Sequence, residues 1–405
     1  MQEQSQDRPR LFLFYLKWRS SLHPIELAIM RKWGRIIAAF ASIGIVLTST
    51  AVLLVNRTAS KAIPRSIALE GAPQSKDGST NILLLGLDSR RDNDGNSLPS
   101  KLLRYMHVGS NSNIGGYNTN TIILIHIPAN GRKAVAVSIP RDDYVNVPGW
   151  GYKKIKEAYG YAKYAEDSRL YKLGVKNPER EHRAREVGRT ATIKTVSTLL
   201  DVPIDHFAEV NLIGFYDLAN ALGGIQVCLK NAVNDPKYSG AKFPAGLQTI
   251  YGVDALKFVR QRHGLPNGDL DRTHRQQAFI AGVITKFRTQ GIFEDIGKIS
   301  ALLNVAKKDV IIDKGLDVLS FLPKAKALTS GKITFHTLPI EGYVMRNSQS
   351  VNLIDEVKVK NFVQDLFYPK TTDKKGTPTP KPKPTSLISQ ANGKPVKGSG
   401  IPCVN

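Results

Sequence analysis

The sequence predicts an α/β fold in which helices cover both faces of a central mixed sheet, an α/β/α arrangement, preceded by one transmembrane helix. Two observations support this prediction. Short apolar runs typical of buried strands alternate with longer segments typical of helices, which favours layers of helices on a sheet. An uncharged apolar stretch, residues 36–55, has the length that crosses a bilayer, roughly 20 residues. The chain has 405 residues, 41% of them hydrophobic, which is enough for a sizeable core.

Residues 1–35 are predicted to be a cytoplasmic basic head. Arg and Lys outnumber Asp and Glu there, and the positive-inside rule keeps such a segment in the cytoplasm. The run at 36–55 is longer than the apolar part of a usual signal peptide, and no small-residue cleavage site follows it, so we expect an uncleaved anchor. A buried helix of a soluble protein is the alternative. With the anchor, the chain is a single-pass protein of the cell membrane whose main domain is extracellular.

The charge balance predicts an anionic partner. The chain carries 57 Lys and Arg against 34 Asp and Glu, a net charge of +23. Nucleic acid, an anionic lipid surface and phosphorylated substrates would all suit this charge. A domain outside the membrane meets lipids and cell-wall polymers, so no nucleic acid is expected. A membrane-bound transcriptional regulator is the alternative, and it requires residues 56–405 to be cytoplasmic.

Residues 56–79 and 369–405 are predicted to lie outside the folded domain. The first segment is a polar linker, and the second contains the stretch KTTDKKGTPTPKPKPT, which is typical of a disordered, solvated tail. A tail that binds the cell wall is the alternative. Cys228 and Cys403 fit an oxidising compartment, where one disulfide would join the tail to the domain. Two buried free thiols are the alternative.

Between these segments the sequence predicts strands and helices. Asn81–Leu87 (NILLLGL) is typical of a buried strand, and Thr121–Ile127 and Lys133–Ile139, joined by Pro-Ala-Asn-Gly, indicate a hairpin. Residues 89–117 predict a loop with one short helix near Leu98–His107. Further helices are predicted at Lys154–Tyr164, Glu186–Leu200, Leu212–Ala221, Val253–Arg260 and Thr273–Thr289, with a pair between Ile296 and Thr329.

Charged residues follow two of these apolar strands. Asp88 and Arg90 come after NILLLGL, and Arg141 and Asp142 come after AVSIP. Open α/β sheets bind ligands at such strand ends. Any one of these residues could instead belong to an ordinary surface loop.

A second concentration of charge lies between residues 251 and 280, YGVDALKFVRQRHGLPNGDLDRTHRQQAFI. Guanidinium groups bind phosphate oxygens through parallel hydrogen bonds, and carboxylates bind divalent cations. Several arginines beside a few carboxylates are therefore what a pyrophosphate with a metal ion requires. The chain contains no GxxxxGK[ST], GxSxG, HExxH or CxxC pattern, so no competing catalytic motif explains it better.

A series of motifs covers about Asn81–Lys286, in the order NILLLGLDSR, NTIILIHI, SIPRDDY, KIKEAYG, LANALGGIQV, FVRQRH and GDLDRTHRQQ. This order resembles the LytR-CpsA-Psr family of membrane-anchored cell-wall enzymes. The resemblance implies a catalytic domain at residues 80–368. It implies an extracellular phosphotransferase that moves a glycopolymer from a polyprenyl-pyrophosphate carrier to peptidoglycan, with Mg²⁺ at the pyrophosphate and a pyrophosphatase side activity. It also implies an apolar groove for the prenyl chain.

The resemblance also implies roles for single residues. Asp88 matches the metal-side aspartate and Arg141 the phosphate-binding arginine, so Asp88, Arg141 and Asp142 are the expected catalytic residues, with Asp88 or Asp142 accepting the proton. Asp88 and Asn120 are the expected metal ligands. The residues expected to bind the pyrophosphate are Arg90, Arg141, Arg260, Arg262, Asp269, Arg272, Arg275 and Gln276.

This chain departs from the family pattern at two places. It reads Asn118-Thr119-Asn120-Thr121 where the family usually has Arg-Ser-Asp-Thr, so the site loses one negative charge. It also has a long insertion between Ser89 and Tyr117, in which Asp92 and Asp94 are candidates for a second metal carboxylate. The lost charge keeps an alternative open, a non-catalytic module that binds a lipid pyrophosphate or a glycan.

A smaller difference lies in the family's K-I-N-x-A-Y pattern. Lys154 and Tyr159 fall on it, and Lys156 takes the place of its Asn.

Overall fold

The computed structural model describes residues 63–112, 116–292, 295–329, 333–369, 395–398 and 400–405. The predicted cytoplasmic head and the predicted anchor at 36–55 lie outside these residues. Within the described ranges, no helix combines the length and the apolar character needed to cross a bilayer.

The strands of the described residues are β1 (Arg65–Ser66), β2 (Thr80–Leu87), β3 (Thr119–Ile127), β4 (Ala134–Ser138), β5 (Tyr144–Val147), β6 (Gly151–Lys154), β7 (His206–Asn211), β8 (Ile225–Leu229), β9 (Val233–Asp235), β10 (Ala241–Phe243), β11 (Gly246–Ile250), β12 (Val310–Asp313), β13 (Ile333–Thr337), β14 (Gly342–Arg346), β15 (Gln349–Leu353), β16 (Val396–Lys397) and β17 (Cys403–Val404).

The helices are α1 (Ser100–Tyr105), α2 (Ala158–Lys172), α3 (Glu179–Leu200), α4 (Leu212–Ala221), α5 (Gly252–Arg260), α6 (Asp269–Thr289), α7 (Ile296–Asp309), α8 (Val318–Thr329) and α9 (Glu356–Phe367). A single 3₁₀ turn, Ile155–Glu157, precedes α2. The predicted helix at Leu212–Ala221 has these bounds in the structure. Its start is fixed by the side chain of Asn211, which accepts a hydrogen bond from the Gly214 N–H at 2.9 Å.

The central sheet has eight strands in the order β1-β12-β7-β2-β3-β4-β13-β16. Strands β2, β3 and β4 are antiparallel neighbours, whereas β2 pairs with β7, and β4 with β13, in parallel. The sheet is therefore mixed, as predicted, and the predicted hairpin of residues 121–139 is confirmed.

Helices cover both faces of this sheet because its strands are apolar on both sides. In β2, Leu83 and Leu85 pack with residues of α3 and α9, while Ile82 and Leu84 pack with residues of α6 and α8. Side chains alternate between the two faces of a strand, so a continuous apolar run fills two cores at once. This gives the α/β/α layers that the sequence predicts.

The predicted linker at 56–79 is wrong from Ile63 onward, where the described residues begin. Strand β1 pairs with β12 in parallel, and Ile63 is buried against Leu303 and Ile312. The partner strand β12 (VIID) lies in the segment where the sequence predicts a pair of helices, so no local pattern indicates this pairing.

The predicted disordered tail at 369–405 is also wrong at its end. Strand β16 extends the central sheet beside β13, and β17 pairs with β8 in a small three-stranded sheet. In that sheet Cys403 lies opposite Cys228, and the structure joins them by a disulfide across 175 positions of sequence. The Pro- and Lys-rich stretch itself lies outside the described residues.

A buried charged cluster fixes the insertion against helices α2 and α3. We call it the interhelix cluster, and it consists of Tyr117, Lys163, Glu181 and Arg185, all buried. Glu181 Oε1 accepts from Arg185 Nε at 2.7 Å and from the Tyr117 hydroxyl, and Glu181 Oε2 lies 2.8 Å from Lys163 Nζ. Arg185 also donates to the backbone oxygen of Asp92 at 2.7 Å, so the insertion is part of the domain.

Candidate active site

The ends of β2, β3 and β4 bring three predicted site residues together. Asp88 follows β2, Asn120 lies near the start of β3, and Arg141 follows β4. Because β3 runs antiparallel to both neighbours, its start lies beside the ends of β2 and β4. Asn120 Nδ2 donates to Asp88 Oδ2 at 2.9 Å, and Arg141 Nη1 donates to Asn120 Oδ1 at 2.8 Å. Asn120 therefore bridges the aspartate and the arginine.

Helix α6 adds Asp269 and Arg272 to this group. Gly268, with a φ of 50°, turns the chain into the helix, and Asp269 is its first residue. Asp269 Oδ1 lies 3.2 Å from Arg141 Nε and 2.8 Å from Arg272 Nη2. We call Asp88, Asn120, Arg141, Asp269 and Arg272 the strand-end cluster.

The strand-end cluster contains buried polar atoms that make no hydrogen bond. They are Asp88 Oδ1, Arg141 Nε, Asp269 Oδ1 and Arg272 Nε. Leaving such an atom unpaired in a protein interior costs roughly 1 to 3 kcal/mol, so each one demands an explanation. Arg141 Nε and Asp269 Oδ1 are close enough for an ion pair, yet their orientation leaves both without a hydrogen bond. Unpaired donors suit an anion, and unpaired carboxylate oxygens suit a cation.

The pKa of Arg272 also indicates that its neighbours do not fully compensate its charge. Burial lowers the pKa of its guanidinium to about 10, and the attraction of Asp269 does not compensate. Burial likewise lowers the pKa of Arg260, with Asp88 opposing and Arg90 and Arg141 adding to the effect. The positive charge gathered here exceeds the negative charge that faces it.

Asp142 is held by cations on both of its oxygens. Its Oδ1 lies 2.7 Å from Lys156 Nζ and 3.5 Å from Lys154 Nζ, and its Oδ2 lies 3.4 Å from Arg141 Nε. Burial alone would raise the pKa of Asp142, but Arg141 and Lys156 outweigh it and lower the pKa to about 2. A carboxylate in this state accepts a proton poorly.

The remaining predicted arginines of this region surround the cluster. Arg90 is buried, donates to the Val108 oxygen at 2.6 Å and lies 3.9 Å from Asp88. Arg260 is partly buried and donates to the His107 oxygen at 3.2 Å. Arg262 is exposed and lines a cavity beside the cluster.

That cavity has a volume of about 370 Å³. One wall belongs to the hairpin β14–β15, which the sequence analysis missed entirely. A usable signal existed, because Asn347-Ser348 separates two strand-like runs, and both residues adopt a positive φ, 47° and 59°. The lining residues are Asp142, Lys154, Lys156, Arg262, Asp269, Tyr343, Gln349, Ser350 and Asn352.

Two predicted pyrophosphate ligands differ in their surroundings. Arg275 is fully buried over the ring of Phe258 and donates to Gln261 Oε1 at 2.6 Å and to the Asn405 oxygen. It is six positions after Asp269, about 120° away around the helix, so it faces another side of α6. Like Arg272, it has a guanidinium nitrogen that makes no hydrogen bond, and burial lowers its pKa to about 10. The structure does not bring Arg275 into the strand-end cluster. Gln276 returns to the side of Asp269, where its amide donates to the Val259 oxygen at 3.5 Å.

The donor set at the strand ends fits a hard divalent cation. Asp88 Oδ1 is buried and accepts no hydrogen bond, and the Asn120 oxygen keeps a second lone pair beside the bond from Arg141. Asp92 and Asp94 add nothing to this set, since Asp92 binds the backbone of Asp94 and Asn96, and Asp94 pairs with His182 at 2.8 Å. The described residues contain no group of three or more acidic, His or Cys ligands. Mg²⁺ commonly takes one or two carboxylates and shares the substrate's phosphates, so Asp88 and Asn120 are the residues that could hold it.

A three-layer α/β domain with arginine and carboxylate atoms that make no hydrogen bond at its strand ends has the donors that an anionic ligand requires. The chain belongs to the LytR_cpsA_psr family, whose model matches residues 46–367. The resemblance seen in the motifs is confirmed.

Two relatives show how far the similarity extends. The cell wall biosynthesis protein LcpA of Corynebacterium glutamicum is 42% identical over 72% of this chain and 56% of LcpA, so the chain spans little more than half of that relative. The polyisoprenyl-teichoic acid–peptidoglycan teichoic acid transferase TagU of Oceanobacillus iheyensis is 30% identical over 65% of this chain and 67% of TagU.

Solved structures support the fold. TagV of Bacillus subtilis superimposes with a TM-score of 0.52 at 20% identity, covering 72% of this chain and 98% of TagV. TagT bound to LI-WTA superimposes with a TM-score of 0.51 at 22% identity, covering 74% of this chain and 97% of TagT. At these identities the likeness establishes the mixed α/β fold.

Proposed function

We propose that the chain is a membrane-anchored phosphotransferase that moves a glycopolymer from a polyprenyl-pyrophosphate carrier to peptidoglycan. The observation that supports this most is the pair of buried Nε atoms of Arg141 and Arg272 that make no hydrogen bond. Guanidinium donors of this kind suit phosphate oxygens. The relative TagU is named for a transfer of teichoic acid to peptidoglycan.

The arginines would act on the charge of the pyrophosphate. Arg141 and Arg272 bind it from the buried side, and the exposed Arg262 closes on it from the rim of the cavity. Asp269 holds Arg141 and Arg272 in position through its ion pairs. As the bond to the leaving lipid phosphate breaks, these fixed positive charges stabilise the negative charge that develops.

Asp88 and Asn120 are the residues that would hold Mg²⁺. When bound, the cation would supply further positive charge against the phosphate oxygens. Asn120 has a second task in this arrangement, because its amide orients Asp88 and its oxygen orients Arg141.

The attacking sugar hydroxyl must lose a proton, and Asp142 is unsuited to accept it. Lys154, Lys156 and Arg141 all face its carboxylate and keep its pKa near 2. We assign Asp142 to the positioning of these cations. Of the two carboxylates considered from sequence, Asp88 remains as the acceptor, with its Oδ1 on the cation and its Oδ2 taking the proton. Water in place of the sugar hydroxyl would give the pyrophosphatase side activity.

The location of the domain outside the membrane is part of the proposal, and it depends on the anchor at 36–55 and the basic residues before it. A reporter fused after Asn405 should be active only outside the cytoplasm. Activity of a cytoplasmic reporter alone would contradict the proposal and support the regulator.

Turnover of the full-length protein with a lipid-linked glycan pyrophosphate and peptidoglycan tests the reaction. We expect transfer that depends on Mg²⁺ and falls at least tenfold, about 1.4 kcal/mol, when the cation is chelated. The variant Arg288→Ala, an exposed arginine of the same helix as Arg272, is the control and should transfer normally. Binding of the lipid without any turnover would favour the non-catalytic module.

A further inference from the structure

The hairpin β14–β15 forms a wall of the cavity beside the strand-end cluster, and its exposed side chains there have no evident role in the core. Tyr343 is 56% exposed and Met345 is 62% exposed. Large apolar side chains that remain in solvent beside a candidate site are typical of a binding surface.

The base of the hairpin is attached to the loop that carries the site. Asn352 N–H donates to the Asp142 oxygen at 2.9 Å, and Asn352 Nδ2 donates to Asp143 Oδ1 at 2.8 Å. Asp142 follows Arg141 directly in the chain. The position of the hairpin is therefore fixed relative to the strand-end cluster.

One face of the hairpin is turned towards the cavity. Tyr343 lies opposite Asn352, and Met345 lies opposite Ser350, so these four side chains share one face. Tyr343, Ser350 and Asn352 line the cavity, and Gln349 joins them from the turn end of β15. Burial, followed by the charge of Asp269, raises the pKa of Tyr343.

The composition of this wall discriminates between possible occupants. A prenyl chain would need an apolar wall, whereas Gln349, Ser350, Lys154 and Asp142 are polar. A phosphate group alone would not need a tyrosine ring. A sugar ring has an apolar face that an aromatic ring covers and a rim of hydroxyl groups that amides, hydroxyls and carboxylates bind.

We propose that this cavity binds a sugar ring next to the phosphate groups, with Tyr343 against the face of the ring and Ser350 on its hydroxyls. The inference rests on the proposed function, because it places the sugar beside the pyrophosphate of that reaction. The ring can belong to the peptidoglycan acceptor or to the first sugar of the donor, and both present the same chemistry.

Kinetics of the full-length variant Tyr343→Ala separate the two sources. We expect KM for one substrate to rise about tenfold, equivalent to about 1.4 kcal/mol, with an unchanged melting temperature. A higher KM for the acceptor assigns the ring to peptidoglycan, and a higher KM for the donor assigns it to the glycopolymer. Tyr343→Phe keeps the ring and should stay within about twofold, equivalent to about 0.4 kcal/mol. Tyr171→Ala, a residue 69% exposed on α2, is the matched control.

A binding measurement makes the test independent of turnover. Saturation-transfer NMR with a soluble peptidoglycan disaccharide, and separately with the free glycan of the donor, should detect binding to the wild type and a loss in Tyr343→Ala. If Tyr343→Ala binds both sugars and keeps both KM values like the wild type, the sugar site is refuted, while loss of turnover in Arg272→Ala still supports the transferase. If Arg272→Ala keeps full turnover, the proposed function fails instead, and the NMR result alone decides the sugar site.

Discussion

Two buried clusters of arginine and carboxylate lie in this domain, and they differ in how completely they are paired. In the interhelix cluster both oxygens of Glu181 have partners, namely Arg185, Tyr117 and Lys163. Only a donor, Arg185 Nη1, is left without one. In the strand-end cluster, two donors and two carboxylate oxygens make no hydrogen bond, although Asp269 Oδ1 lies within ion-pair distance of Arg141 and Arg272. The first cluster leaves one donor without a partner, whereas the second leaves donors and acceptors without hydrogen bonds at one place.

The pKa shifts of Arg185 and Arg272 also differ between the two clusters. Carboxylate and tyrosine neighbours raise the pKa of Arg185 above its ordinary value in spite of burial, whereas burial lowers the pKa of Arg272 to about 10. Burial also lowers the pKa of Arg275 to about 10, so an uncompensated charge indicates a binding site only together with a position at the strand ends. The number of arginines in a stretch of sequence does not reveal this.

The largest effect is expected on stability, when the interhelix cluster is broken. Arg185→Ala leaves Glu181 with one buried cation fewer, and breaking a buried pair in this way costs roughly 3 to 5 kcal/mol. Urea unfolding of the variant measures the loss. Arg183→Ala is the control, since its pair with Glu179 is exposed and such pairs contribute about 0 to 1 kcal/mol. Equal stability of the two variants would remove the contrast between the clusters.

Arg272→Ala should lower the transfer activity and leave the stability of the fold unchanged. We expect transfer to fall roughly 10² to 10³-fold, equivalent to about 2.7 to 4 kcal/mol of transition-state stabilisation, with a melting temperature within a few degrees of the wild type. Arg272→Lys should recover little, because a point charge does not reproduce the two parallel hydrogen bonds. A loss of transfer that only follows unfolding would place Arg272 in the scaffold.

The two clusters should also respond differently to acid. Burial would raise the pKa of Glu181, but Arg185 and Lys163 lower it from 4.5 to about 2. The unfolded chain therefore takes up a proton below pH 4.5 that the folded protein refuses, so this stabilisation, roughly 3 kcal/mol, is present above pH 4.5 and is lost as the pH falls towards 2. Urea unfolding at several pH values should show a shallower decline for Glu181→Gln. A decline as steep as that of the wild type would contradict this assignment.

The smallest effect on transfer is expected for Arg262, at the rim of the cavity. Arg262 is exposed, so Arg262→Ala should leave the melting temperature unchanged and lower transfer about tenfold, equivalent to about 1.4 kcal/mol. Kinetic assays at saturating donor measure this. Normal transfer by Arg262→Ala would confine the pyrophosphate contacts to the buried arginines.

The sequence predicted the apolar centre of the fold because strong periodic patterns dominate there. The runs at β2 and β3 and the capped helix α4 were found at or near their bounds, and the charged positions at strand ends followed from them. Helix α2 begins later than predicted because Lys154 ends a strand and a 3₁₀ turn intervenes. Helix α3 begins earlier, at Glu179, because its polar first turns carry no apolar period.

Other features depend on tertiary contacts that no local pattern records. Strands β12, β16 and β17 are short and form only because a neighbouring strand is available. Arg275 and Arg272 look alike in sequence, and only the helix geometry shows that one contacts Asn405 and the other Asp269. Whether Arg141 Nε and Arg272 Nε make hydrogen bonds likewise depends on side-chain orientation, which the sequence does not show.

A crystal structure of the protein with a prenyl pyrophosphate and Mn²⁺ in place of Mg²⁺ tests the central claim most directly. The account predicts phosphate oxygens hydrogen-bonded to Arg141 Nε and Arg272 Nε, and an anomalous peak for the metal at Asp88 Oδ1. Phosphates bound elsewhere, with both Nε atoms still unpaired, would contradict it.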